Sequence, residues 1–89
     1  MRYLIDTKLS KIRLLEFDSD WIKLSKCELK LILALLNNES TCYGEISRFF
    51  NVKKASIITA ERRLKIKTDL NIRKTKNSIY LEDDIIYII

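Results

Sequence analysis

The segment Leu24–Leu36, LSKCELKLILALL, limits what this chain can become more than any other. Ser25 stands three residues before Glu28, in the S-x-x-E spacing of a capping box. In that arrangement the serine hydroxyl accepts from the Glu28 amide, and the Glu28 carboxylate accepts from the Ser25 amide. Behind the cap, Leu31, Ile32 and Leu35 recur at helical spacing, so a buried helix over Lys26–Leu36 begins at a defined residue. An apolar-alternating stretch runs straight into it. Such a sharp strand-to-helix junction suits a small, tightly built domain.

Upstream lie short apolar patches: Tyr3-Leu4-Ile5, then Ile12, Leu14, Leu15 and Phe17, then Trp21, Ile22 and Leu24. Polar breaks at Asp6-Thr7-Lys8 and Asp18-Ser19-Asp20 separate them. The pattern predicts two or three short antiparallel strands, with the second break as a hairpin turn. Downstream, Asn37-Asn38-Glu39-Ser40 forms an exit loop. A second helix covers Gly44–Phe50, with Ile46, Phe49 and Phe50 turned inward. Asn51-Val52-Lys53-Lys54 turns into a third helix, Lys54–Asp69. Asn71–Leu81 reads as a hairpin with its turn at Lys76-Asn77. Glu82-Asp83-Asp84 breaks the pattern, and Ile85–Ile89 is a last strand.

With no proline, one glycine and no low-complexity tract, nothing marks an internal linker. The expectation is one α+β domain: residues 1–24 as strands, 25–70 as three helices, 71–89 as hairpin and last strand. The five large apolar residues Ile85–Ile89 either complete the sheet, the reading favoured here, or leave an edge for a partner, homodimerisation included.

Several function classes drop out. The longest apolar run, Leu29–Leu36, contains Lys30 and falls short of the about 18–20 residues that span a bilayer. The N-terminus, MRYLIDTK, lacks the apolar core of a secretory signal, so the expected location is cytoplasmic, without membrane contact. Cys27 and Cys42, in a chain without histidine, cannot complete a four-ligand zinc site. The missing histidine also removes the commonest general base and every Ser-His or Cys-His pair. Glu82, Asp83 and Asp84 are adjacent carboxylates that point in different directions, poor material for a metal-dependent nuclease. No enzyme activity and no cofactor are expected.

Charge placement is more informative. The chain carries +5, yet between Arg48 and Lys76 ten basic residues face only Glu61 and Asp69, which is 10 − 2 = +8. A contiguous basic segment is the footprint of a polyanion partner. With Leu64 at the centre of the third helix's core stripe, Ile57, Ala60 and Thr68 fall beside it. Ala55, Thr59, Arg62 and Ile66 lie opposite, flanked by Ser56, Arg63 and Lys65. That outer face offers guanidinium forks for guanine, short hydroxyls, and apolar groups for a thymine methyl. Arg62 and Arg63 are the first base-reading candidates, then Thr59 and Ile66; Arg63, nearer the flank, also suits phosphate. Lys67 continues the basic helix end. Arg73, Lys74 and Lys76 surround the hairpin tip, where they would meet a minor groove or backbone, and Lys53 and Lys54 would meet phosphate at the helix start. Four to six neutralised phosphates give a salt slope of roughly −4 to −5.

Leu24, Ser25, Glu28, Leu31, Ile32 and Leu35 fill the places of the L-[ST]-x-x-E-x-x-L-L-x-x-L signature that opens the first helix of OmpR/PhoB-type effector domains. The ToxR/CadC-like branch shares it. Leu64, Lys65 and Lys67 match the family's L-R-x-K-[LI] helix end at its first, second and fourth places, and Ile72, Tyr80 and Leu81 echo its closing hairpin. The chain thus resembles that family over nearly its whole length. The resemblance implies a winged helix-turn-helix with an N-terminal antiparallel sheet, three helices and a hairpin wing. It implies a transcription regulator that binds double-stranded DNA, alone, as a homodimer or as a head-to-tail pair. Contact with RNA polymerase or another regulator is also implied, although the loop between helices two and three, which often touches polymerase in the family, is short here. Other departures are Lys65 for the usual arginine, Thr68 and Glu61 at apolar places, and Lys76-Asn77-Ser78 where the wing normally has glycines. A winged-helix module that binds protein in place of DNA is the alternative.

Overall fold

The computed structural model describes residues 1–16, 19–37, 41–76 and 78–89. Phe17, the Asp18 of the expected hairpin turn, residues 38–40 of the expected exit loop and Asn77 of the hairpin tip lie outside them. Over the described residues the protein is α+β, with three helices and two sheets. Strands β1 (Arg2–Asp6), β2 (Lys11–Leu14) and β3 (Ile22–Lys23) precede helices α1 (Lys26–Asn37), α2 (Tyr43–Phe50) and α3 (Lys54–Lys67). Strands β4 (Ile72–Lys74), β5 (Ile79–Leu81) and β6 (Ile85–Ile88) follow.

The β1–β2 turn closes locally. Asp6 Oδ1 accepts from the Lys8 and Leu9 amides at 3.0 and 2.9 Å, and Ser10 takes a left-handed φ of 53°. The register pairs Tyr3 with Leu14 and Ile5 with Ile12, which puts the buried residues of both strands on one face. The sheet order is β3-β2-β1-β6. The last strand therefore completes the N-terminal sheet, but parallel to β1, pairing Arg2 with Ile85 and Ile5 with Ile88. The sheet is mixed, where the sequence suggested antiparallel strands throughout. Its physical reason is topological: the chain returns to β1 after three helices and a hairpin, as a crossover and not as a hairpin neighbour.

The capping box forms as its spacing predicts. The Ser25 amide donates to Glu28 Oε1 at 2.8 Å, and the Glu28 amide donates to Ser25 Oγ at 3.2 Å. Leu31, Ile32 and Leu35 are buried, a contribution of roughly 5–8 kcal/mol as an upper estimate. α1 packs on α3 and on β5. α2 ends at Asn51, which adopts the left-handed conformation at φ 52° that asparagine tolerates; the Val52 amide returns to the Ser47 carbonyl.

Two expectations are corrected. Phe49 is 82% exposed. The inward stripe of α2 runs through Tyr43, Ile46 and Phe50, and at 100° per residue Phe49 lies about 90° round from its centre. Its ring instead meets Phe50 edge-on at 5.0 Å. The third helix ends at Lys67, not Asp69. Thr68 turns extended while its amide and hydroxyl both donate to the Leu64 carbonyl, at 2.8 Å each, which closes the helix.

β4 and β5 pair Ile72 with Leu81 and Lys74 with Ile79. Thr41 bridges Ile79, which fastens this hairpin to the segment entering α2. Among the described residues no helix is long and apolar enough to cross a membrane.

Candidate nucleic-acid interface

α3 buries the stripe Ile57, Ala60, Glu61 and Leu64, with Thr68 just beyond it, against α1 and α2. Its opposite face therefore looks outward. Ala55, Thr59, Arg62, Arg63, Lys65 and Ile66 are exposed, Ile66 by 79%, and Ser56 is half-buried. This is the division expected from Leu64 at the stripe's centre. Thr59 Oγ1 donates to the Ala55 carbonyl at 3.0 Å, which leaves its lone pairs to accept from a ligand.

The basic candidates fall into two groups. Among the described residues, Lys53, Lys54, Arg62, Arg63 and Lys76 are exposed and have no acidic partner. The other four are paired. Arg73 Nε meets Glu82 Oε2 at 2.7 Å, and both side chains are largely exposed. Lys65 and Lys74 share Glu61 Oε1, at 3.0 and 3.5 Å. The exposed Arg73–Glu82 pair contributes only about 0–1 kcal/mol, so a phosphate can replace that carboxylate, whereas Lys65 and Lys74 balance a carboxylate that is buried. Lys67 differs. Its ammonium lies 2.7 Å from Glu28 Oε1 and 3.1 Å from the Lys23 carbonyl, and Glu28 is fully buried. Lys67 is thus bonded to the start of α1 and the end of β3, with 36% of its side chain still exposed.

The two buried carboxylates have distinct surroundings. Burial pushes Glu28 up, but hydrogen bonds from Lys67 and Ser25 outweigh it and hold the carboxyl below its ordinary 4.5. Burial likewise opposes ionisation of Glu61, and the Tyr43 hydroxyl, Lys65 and Lys74 outweigh it. The Tyr43 phenol donates to Glu61 Oε2. Burial and then the adjacent Glu61 push that phenol up. Glu61 thus ties α2, α3 and the hairpin at one point. Neither Tyr43 nor the Glu28–Lys67 clamp is legible in the sequence, since each partner comes from a different element.

Open clefts join these groups. One, about 490 Å³, runs between the start of α1 and the outer side of α3, lined by Lys26, Ser56, Thr59 and Arg63 among others. Lys26 was not a sequence candidate; its place directly after the helix cap is the signal that could have raised it. A second, about 350 Å³, separates the hairpin from the starts of α2 and α3, with Lys54, Lys74, Lys76 and Ser78 on its walls. Lys74 also lines a small cleft with Ile58, Arg62 and Lys65. Lys74 borders both, so the side of α3 that carries Arg62 and Lys65 adjoins the hairpin, with Glu61 also on the wall of the small cleft. In the acidic turn, Glu82 pairs with Arg73 and Asp84 Oδ2 accepts from the Asn71 amide, so these carboxylates serve different partners.

No family model, no curated protein and no solved structure matches the chain.

Proposed function

We propose that this chain is a winged-helix protein that binds double-stranded DNA and regulates transcription in the cytoplasm. In this reading α3 enters the major groove and the β4–β5 hairpin is the wing. The observation that carries it is the set of exposed basic side chains on the outer face of α3 and the hairpin, Arg62, Arg63, Lys65, Lys74, Lys54 and Lys76, with Lys74 bordering the clefts on both sides. Arg62 and Arg63 supply forked donors for guanine edges or phosphate, and Ile66 supplies an apolar contact for a thymine methyl. Lys53, Lys54 and Lys76 position the backbone and carry no sequence information themselves. Arg73 joins by exchanging the exposed Glu82 carboxylate for phosphate, while Lys65 and Lys74 stay on Glu61.

Fluorescence anisotropy on a mixed-sequence duplex across a salt series tests this. Five unpaired cations give an expected slope of about −4 to −5 in log K against log salt. The Arg62→Ala/Arg63→Ala variant should weaken binding by more than about tenfold and flatten that slope by roughly one to two. No binding at low salt, or binding that ignores both arginines, sinks the proposal.

A second reading is a winged-helix module acting on another regulator protein. The exposure of Phe49 and Ile66 favours it, since both are large apolar groups beside the same helices. Association of that kind is insensitive to salt, so the same titration separates the two.

A further inference from the structure

The two outer strands of the four-stranded sheet differ in how they are guarded. β3 has two residues and carries Lys23. β6 has four, no charge and no proline, in a chain of which a third is charged. Natural edges usually carry charge, proline or a bulge against pairing. Here the unguarded edge is Ile85-Ile86-Tyr87-Ile88-Ile89, and that segment reads the same in both directions about Tyr87.

The hydrogen-bond alternation gives the palindrome a geometric meaning. The Ile85 amide donates to the Met1 carbonyl at 3.0 Å and the Ile89 amide to the Ile5 carbonyl at 2.9 Å. In a parallel ladder the residues between alternate, so Tyr87 also bonds towards β1. The amides and carbonyls of Ile86 and Ile88 therefore point to the open side. Set a second copy antiparallel, with the two-fold axis at Tyr87. Ile86 then faces Ile88 of the other copy as a hydrogen-bonded pair, Ile88 faces Ile86, and four bonds form. Tyr87 faces Tyr87, and Ile85 faces Ile89. Every outward group finds its complement in an identical strand, and no like charges meet.

We propose that β6 is a homodimerisation strand, pairing antiparallel with β6 of a second copy about Tyr87 to make one continuous eight-stranded sheet. Ile85, Tyr87, Ile88 and Ile89, exposed by 47–66%, offer at most roughly 450 Å² per copy. The total of at most roughly 900 Å² is below the about 1,200 Å² of stable interfaces, which makes this a weak, reversible dimer. The pairing does not depend on DNA binding. If the DNA reading also holds, the two-fold axis relates the two α3 helices and requires inverted half-sites.

Analytical ultracentrifugation of the whole chain from about 1 to 500 µM tests it. The expected result is a monomer–dimer equilibrium for the natural sequence. Tyr87→Lys should be monomeric, because two ammonium groups would face each other across the axis. Tyr87→Glu should be monomeric too, and an equimolar mixture of the two should recover the dimer. Ile88→Pro removes an outward amide without touching the β1 ladder, and should weaken association about ten- to a hundredfold. Circular dichroism melts of each variant separate lost pairing from lost folding. A natural sequence that stays monomeric throughout overturns the proposal and leaves the edge to a strand of another protein. Dimers that the Tyr87 variants leave intact, or a mixture that does not recover, overturn it as well.

Discussion

Replacing Lys67 by Met should destabilise the protein strongly at pH 7 and weakly at pH 4. The perturbation leaves Glu28 ionised, fully buried and without its ammonium partner. Removing one member of a buried pair costs about 3–5 kcal/mol. Two features place this case at the lower end: Lys67 itself is 36% exposed, and Glu28 Oε1 keeps the Ser25 amide. About 2–4 kcal/mol is expected, a Tm loss of roughly 10–20 °C in a domain of this size. The pH dependence fixes the cause. In the natural protein the Glu28 carboxyl titrates below its ordinary 4.5, so its stabilising contribution is present above that value and lost as pH falls through the folded one. Without Lys67, burial dominates and raises the carboxyl, so acid protonates a group that folding prefers neutral. The deficit relative to the natural protein therefore shrinks as pH falls from 7 to 4.

A companion substitution reverses sign. Glu28→Gln alone should cost about 1–2 kcal/mol, because the amide still accepts from Ser25 but loses the charge-assisted bond to Lys67. Placed on Lys67→Met, the same change should stabilise, since it removes a stranded charge. Urea unfolding at both pH values, followed by Trp21 fluorescence and far-ultraviolet circular dichroism, reads all four proteins. A Lys67→Met deficit within about 0.5 kcal/mol at pH 7, or one unchanged at pH 4, would refute the clamp. At temperatures where it is folded, Lys67→Met should also keep the salt slope of the proposed DNA binding, unlike a variant of Lys53 or Lys54.

Glu61→Leu should cost about 1–2 kcal/mol by stranding the Tyr43 hydroxyl, while Tyr43→Phe/Glu61→Leu returns close to the natural stability; a double-mutant cycle with coupling below about 0.3 kcal/mol would contradict this. Because Glu61→Leu frees Lys65 and Lys74, it should also steepen the salt slope of the proposed DNA binding by roughly one to two in the anisotropy series. Ser25→Ala should lower stability by about 1 kcal/mol in urea unfolding, the value of a lost helix cap, and an unchanged midpoint would count against the capping box. Phe49→Ser should leave stability within about 0.5 kcal/mol in the same assay, and a larger loss would mean that its ring is packed.

What the sequence discloses is what is local. The capping box joins residues three apart, and the core face of α3 follows from a period, so Ser25, Glu28, Ile57, Ala60 and Leu64 are legible without coordinates. The order of strands, helices and hairpin follows in the same way. The parallel pairing of β6 on β1 is not local: Arg2 meets Ile85 across nearly the whole chain, and no neighbour signal encodes which edge the last strand joins. The same distinction governs the candidate site. A run of +8 between Arg48 and Lys76 already subtracts Glu61, which Lys65 and Lys74 share, but not Glu28 on α1, which holds Lys67, nor Glu82 beyond β5, which holds Arg73. Charge counted along a segment overstates the field that a polyanion meets, because acids from other elements fold back onto it. The cations that remain unpaired in the candidate set, Lys53, Lys54, Arg62, Arg63 and Lys76, are the better measure, and the salt slope is the quantity that reports them.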